Sequence, residues 1–232
     1  MKLPALLLSP VLALAACGPL LLAACGLLVL AACGPLVQIG GNAKPPASLL
    51  TLAATAVPRA YAGPARLGDT LGVEVPTVPA TLQTLRIPVT TTATEVTYLT
   101  GASWAEQPNR QFQRLLADTL AANGQAVVDP RQSAIAPART LAGSLRDFGL
   151  DMRSPAAPLV RVRYDAQLSG STKASGNGGA SVGDSVALRR FDTSEPADAA
   201  TPTAVAAALN RAANRLAADV AAWAATGGKA AQ

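Results

Sequence analysis

The residues with the most evident chemistry are three thiols. Cys17, Cys25 and Cys33 are all the cysteines of this 232-residue chain, and each closes the same tetrapeptide, Leu-Ala-Ala-Cys, with Gly behind it, at a spacing of eight residues. A thiol can attack a carbonyl, ligate a metal, pair with another thiol or carry a lipid. The chain has no histidine, so neither a Cys-His nucleophile, a Ser-His-Asp triad nor the usual histidine-containing zinc site can be built. Hydrolysis without histidine needs paired carboxylates or a Ser-Lys pair. Only four Glu and ten Asp are present, mostly beside turns or arginines, and beyond the apolar start the lysines are Lys44, Lys173 and Lys229, in loop-like or terminal sequence. The phosphate-cradling patterns GxGxxG and GxxxxGK[ST] are absent, and the Gly-rich "SGNGGASVG" of 175–183 reads as a hairpin loop. No catalytic residue, metal site or cofactor is therefore expected, and the chain reads as a non-enzyme.

Lipid attachment remains for the thiols. Residues 1–33 carry a single charge, Lys2, followed by an apolar run with small residues before each cysteine, the arrangement of a secretory signal. Leu-Ala-Ala-Cys is similar to the lipobox of bacterial lipoproteins, in which the cysteine takes a diacylglycerol and becomes the first residue of the mature chain. A membrane-spanning helix needs roughly 20 apolar residues, but the Gly-Pro interruptions and repeated boxes favour the signal. Removing residues 18–33 leaves a complete signal running into the mature sequence, so Cys17 and Cys33 read as copies of one site. An apolar region of roughly 7–15 residues fits the stretch ending at Cys17 and overshoots at Cys33. Cys17 is the expected anchor, Cys33 the alternative and Cys25 less favoured.

Residues 34–67 are rich in Pro, Gly and Ala and suit a spacer between membrane and domain, with 48–54 as a candidate edge strand. From about residue 68 to 226 the periodicities describe one domain, followed by a disordered tail at 227–232. Leu71, Val73 and Val75, then Leu85, Ile87 and Val89, then Val96 and Tyr98 recur at period two between Pro and Gly breaks, which predicts half-buried strands. Residues 107–122 switch to a helical period with Phe112, Leu115, Leu116, Thr119 and Leu120 on one face, and Asn123-Gly124 supplies the stop. "QAVVDP" predicts a short strand. In "TLAGSLRDFGLDM" the apolar phase slips between Leu145 and Phe148, which predicts a bulge near Arg146-Asp147. "LVRVRYDAQL" alternates Val160, Val162, Tyr164, Ala166 and Leu168 with Arg161, Arg163, Asp165 and Gln167, a strand of an antiparallel sheet with one wet face. A loop over 169–180 and a strand over 181–191 would complete a meander. Thr201-Pro202 opens a last helix, whose stripe is Val205, Leu209, Leu216, Val220 and Trp223, with Asn210, Arg211, Asn214 and Arg215 opposite. The expected fold is α+β, a single domain with a mostly antiparallel or mixed sheet and two amphipathic helices packed on it.

The stretch from "VEVPTVPATLQTLRIPV" through "TYLTGASWAEQPNRQFQRLLADTL" to "QAVVDP", with the later "LRDFGLDM" and "LVRVRYDAQL" strands and the Trp223 helix, resembles the ABC-type transport auxiliary lipoprotein family. That family includes the lipoprotein of the paraquat-inducible Pqi system. The resemblance covers about residues 48–224, and it departs where the usual Trp-Ala-Glu-Pro-Leu reads "WAEQPNRQF". It implies a periplasm-facing lipoprotein of a Gram-negative envelope, accessory to an MCE-type lipid transporter. Its partners would be an MCE-domain protein and the ABC permease and ATPase, and it would reach the membrane through its N-terminal lipid. Neither Gly18 nor Gly34 is the Asp that retains lipoproteins in the inner membrane, which favours the outer membrane. Scattered arginines carry no nucleic-acid footprint. Trp104, Arg161 and Arg163 are the candidate partner contacts, although Trp104 is first expected to cap the sheet-helix junction with its indole on a backbone acceptor. A lipid-binding shuttle with its own pocket is the alternative function, and the Ala-rich, aromatic-poor composition weighs against it.

Overall fold

The computed structural model describes residues 48–59, 63–133, 136–172 and 183–228. The three cysteines, Lys44, Lys173, Lys229 and most of the Gly-rich loop lie outside them. The described residues form one compact unit. Its strands are β1 (Ser48–Leu50), β2 (Thr70–Val73), β3 (Pro88–Thr90), β4 (Val96–Tyr98), β5 (Ala102–Trp104), β6 (Ala126–Val128), β7 (Arg139–Asp151), β8 (Leu159–Thr172) and β9 (Gly183–Pro196); its helices are α1 (Pro108–Ala122) and α2 (Pro202–Ala225).

The long antiparallel meander β7-β8-β9 is the frame of the fold. On the far side of β7 two short strands attach in succession, and both run parallel to it: β2 beside Arg139–Leu141 and β3 beside Leu150–Asp151. Strand β6 adds parallel to β2 and β4 adds antiparallel to β3. The α+β expectation holds and the sheet is mixed. Strand β1 forms where expected, but it pairs parallel with β5 in a separate two-stranded ribbon instead of lining the edge of the main sheet.

The anticipated bulge is present as a shift in the β7-β8 register between Leu145 and Asp147. One extra residue there lets Leu141 and Leu145 before the slip, and Phe148 and Leu150 after it, all bury. Strand β9 runs further than its apolar residues announce. It stays in register with β8 from Gly183 to Pro196, and beyond Phe191 its inward positions are Thr193 and Glu195, polar residues that are nonetheless buried.

Both helices lie on the inner face of the sheet and touch each other. Helix α1 buries the predicted Phe112, Leu115, Leu116, Thr119 and Leu120, and Gly124 follows its end with φ 82°, a left-handed conformation natural to glycine. Helix α2 buries a broad stripe in which alanine fills every gap between Val205, Leu209, Leu216, Val220 and Trp223. Small residues bring the helix axis close to the sheet, which is how an aromatic-poor sequence still closes its core. Thr201 ends the preceding segment in an extended conformation without a side-chain cap, and its carbonyl accepts the Val205 N–H at 2.9 Å.

Candidate functional site

The outer face of β7-β8-β9 collects the arginines and aspartates that the alternation of β8 placed away from the core. Asp151 lies between Arg153, with which it forms a close ion pair, and Arg161 at 3.8 Å. Arg163 stands between Asp192 at 2.7 Å and Asp147 at 3.3 Å. Asp165 takes Arg190 at 2.6 Å and Arg146 at 3.1 Å. The bulge makes the lattice possible: the extra residue swings Arg146 toward Asp165, while Asp147 falls opposite Arg163.

Asp165 and Asp151 are tuned away from acid-base work. The hydrogen bond from Arg190, with its charge and that of Arg146, holds Asp165 below the usual carboxylate range against the opposing effect of burial. Arg153, with Arg161 adding to it, does the same for Asp151. A general acid or base for neutral pH needs a pKa moved upward, and both are moved down. Tyr164 is pushed well above its ordinary value by burial and then by the Glu74 charge, and its hydroxyl donates to the Ala142 carbonyl at 2.9 Å. Glu106 is engaged by Arg114 at the start of α1. Among the described residues no group of acidic side chains gathers with the spacing of a metal site.

Of the candidate contacts, Arg161 and Arg163 lie together on this face, each about a third exposed. They line a groove of about 260 Å³ between β7 and the segment carrying Thr81, Pro88 and Val96. The Arg161 Nε is buried and donates to no acceptor among the described residues. Trp104 is elsewhere. It has no exposed surface and packs against Phe148 with ring centroids 5.5 Å apart, so it is not positioned to touch a partner. The expected backbone acceptor for its indole is also not found: the Nε1 is buried without a hydrogen bond among the described residues, whereas its backbone N–H donates to the Leu85 carbonyl at 2.7 Å.

A second set of polar residues was not singled out in the sequence. Asn210 and Asn214, on the α2 face that reads as solvent-facing, hold the incoming chain. Asn210 Oδ1 accepts from the Ala53 N–H at 2.9 Å, Asn214 Oδ1 accepts from the Thr55 N–H at 2.8 Å, and Asn214 Nδ2 donates to the Ala53 carbonyl at 2.9 Å. Gln111 of α1 accepts from the Leu52 N–H at 2.7 Å. Arg211 and Arg215 of the same α2 face reach the Pro196 carbonyl and Glu195. Their only sequence signal was amide residues four apart on a helix, which has many commoner meanings. The spacer therefore meets the domain well before residue 67.

A family model described as the ABC-type transport auxiliary lipoprotein component matches residues 50–221. No curated protein matches the chain. A crystal structure of a Xanthomonas campestris protein of the DUF330 family is similar, with 22% identity and a TM-score of 0.62, over 78% of this chain and 97% of that one. A second, uncharacterised protein of known structure is 14% identical with a TM-score of 0.52, over 75% of this chain and 98% of its own. These likenesses bear on the fold.

Proposed function

This chain belongs to the ABC-type transport auxiliary lipoprotein family, and on that premise we propose that it is a lipid-anchored, periplasm-facing accessory of an MCE-type ABC system that moves phospholipid through the envelope. Family membership makes it an auxiliary lipoprotein of ABC-type transport in the bacterial envelope; the lipid cargo, the outer-membrane anchor and the docking mode are our reading. In it the protein works without catalysis, by presenting a rigid surface to the MCE-domain protein and its permease and ATPase.

The observation that carries the docking reading is the ion-pair lattice of β7-β8-β9. It fixes three arginine–aspartate clusters on a flat sheet face, and such a patterned surface selects partners by charge complementarity. It also speaks for docking over the shuttle alternative. A lipid pocket is mostly apolar, whereas the groove beside Arg161 sets Arg146, Asp147, Asp151 and Arg153 among Leu82, Val96 and Phe148.

The test is purification of the full-length, detergent-extracted protein from its own host. Docking expects the MCE-domain subunit of one transporter to co-purify in fixed ratio, with no phospholipid held in one-to-one amount by the free protein. Bound phospholipid without any transporter subunit would move the assignment to the shuttle.

A further inference from the structure

Strand β9 is the long edge of the main sheet. At the opposite edge β4 and β6 are three residues each, whereas β9 has 14 and forms its ladder with β8 alone among the described residues. An edge strand offers a row of N–H and C=O groups, and proteins blunt long edges with inward lysines, prolines or a covering element. Between Ser185 and Phe191 there is no proline or lysine. Instead, the outward-facing Val186 and Leu188 are 57% and 74% exposed. They adjoin a part of the outer face without ion pairs among the described residues, where Gln167 and Ser169 lie opposite them on β8. A groove of about 630 Å³ runs from Leu188 across Gln167, Ala142 and Ser144 to Thr77. Arg189 is the arginine of β9 without a carboxylate partner among the described residues. Its guanidinium rests over the Phe191 ring, 5.0 Å from the centroid, while its neighbour Arg190 is engaged with Asp165.

We propose that residues 185–191 of β9 receive an extended segment of a transporter subunit by strand addition. The incoming strand places apolar side chains over Val186 and Leu188 and a carboxylate on Arg189. The open backbone edge supplies affinity, as in other strand-addition interfaces, and the period-two alternation of the added strand supplies the choice of partner. The unpaired cation selects an acidic residue at one position of the segment. This inference rests on the docking function proposed above and adds the β9 edge to the ion-pair lattice beside it as the surface that meets the transporter.

The experiment places p-benzoylphenylalanine at Val186 or Leu188 of the full-length chain in a deletion strain of its host, with Leu49 and Val96 as exposed apolar controls on other elements. Irradiation is expected to give adducts at 186 and 188, absent at 49 and 96, all within one short segment of a single transporter subunit in which apolar residues alternate and a carboxylate is present. In the purified complex, backbone amides of 185–191 should gain at least tenfold protection from hydrogen exchange. Arg189→Glu should reduce adduct yield about tenfold without changing the melting temperature. Adducts to a second copy of this chain, adducts within a helical segment, no adducts, or unchanged amide exchange at 185–191 would each overturn the proposal. If the transporter co-purifies while any of these occurs, the docking function stands and this surface is the wrong one.

Discussion

The ring of Tyr164 occupies the space in which any side chain on Gly143 would stand. A Cβ at Gly143 would lie 2.6 Å from both Cζ and Oη of Tyr164 and would also strike the Asp165 carbonyl oxygen of the neighbouring strand. The glycine therefore sets how closely β7 and β8 carry a buried phenol between them. Gly143→Ala must displace backbone as well as ring, so it is expected to lower stability by about 1–3 kcal/mol, the usual range for overpacking. Urea unfolding reads this directly, and an unchanged midpoint would show that the ring moves freely. Tyr164→Phe keeps the ring and loses one hydrogen bond to Ala142, so its expected cost is smaller, about 1 kcal/mol.

Trp104 separates packing from hydrogen bonding. Its ring fills core space beside Phe148, whereas its indole N–H is buried without a partner among the described residues. Trp104→Ala should cost about 3–5 kcal/mol through the cavity it leaves. Trp104→Phe removes an unsatisfied donor along with part of the volume, and so should cost less than half as much. Equal losses in the two variants, measured by chemical denaturation, would mean the indole N–H has a partner after all.

Acid should weaken the sheet face through Asp151 and Asp165. Both carboxylates are held below their ordinary pKa by arginines. Each therefore adds stability that is complete above the unfolded value near pH 4 and is lost as pH falls through the lower folded value. The melting temperature of wild type should decline below about pH 4, and Asp165→Asn should flatten that decline. The same variant should accumulate normally at neutral pH, but it releases Arg190 and Arg146 from their carboxylate and should weaken co-purification of the transporter subunit. Unchanged co-purification would show that the cluster at Asp165 takes no part in docking.

Asn214→Ala should release the incoming chain without unfolding the domain. Three of the bonds holding Ala53 and Thr55 involve this side chain, and Leu52 and Ala54 pack against the core beneath. Limited proteolysis is expected to cut near residues 53–58 several-fold faster than in wild type, while the melting temperature shifts by only a few degrees. Equal cutting rates would mean the apolar contacts alone hold the segment.

Lipidation should depend on the leader cysteines alone. Replacing Cys17, Cys25 and Cys33 together by Ala is expected to abolish fatty-acid labelling and release the protein from membranes, and persistent labelling would sink the assignment. Mass spectrometry of the wild-type N-terminus should find the lipid on Cys17; acylated Cys33 would mean that the length of the apolar run does not choose the site.

The sequence by itself determined the local elements, because hydrophobic period is a local property. The helix over Pro108–Ala122, the buried residues of β8, the bulge after Leu145 and the stripe of α2 could all be read from which neighbours are apolar and at what spacing. Where polar residues take buried places the signal disappears, and Thr193 and Glu195 hid the last third of β9 for that reason. Only the tertiary structure decided who meets whom. Asn214 and Thr55 are 159 residues apart and Arg139 and Leu71 are partners across a parallel junction. Nothing in their immediate neighbours distinguishes an amide that will clamp a distant backbone from one that faces water. The same holds for the outer face of the sheet. Alternation showed that Arg161, Arg163 and Asp165 would point outward, but the opposite charges that hold them come from β7 and β9, and the edge beside Leu188 is open because no further strand pairs with it among the described residues. Burial is written into composition and spacing, whereas pairing is set by loop closure and register across the whole chain.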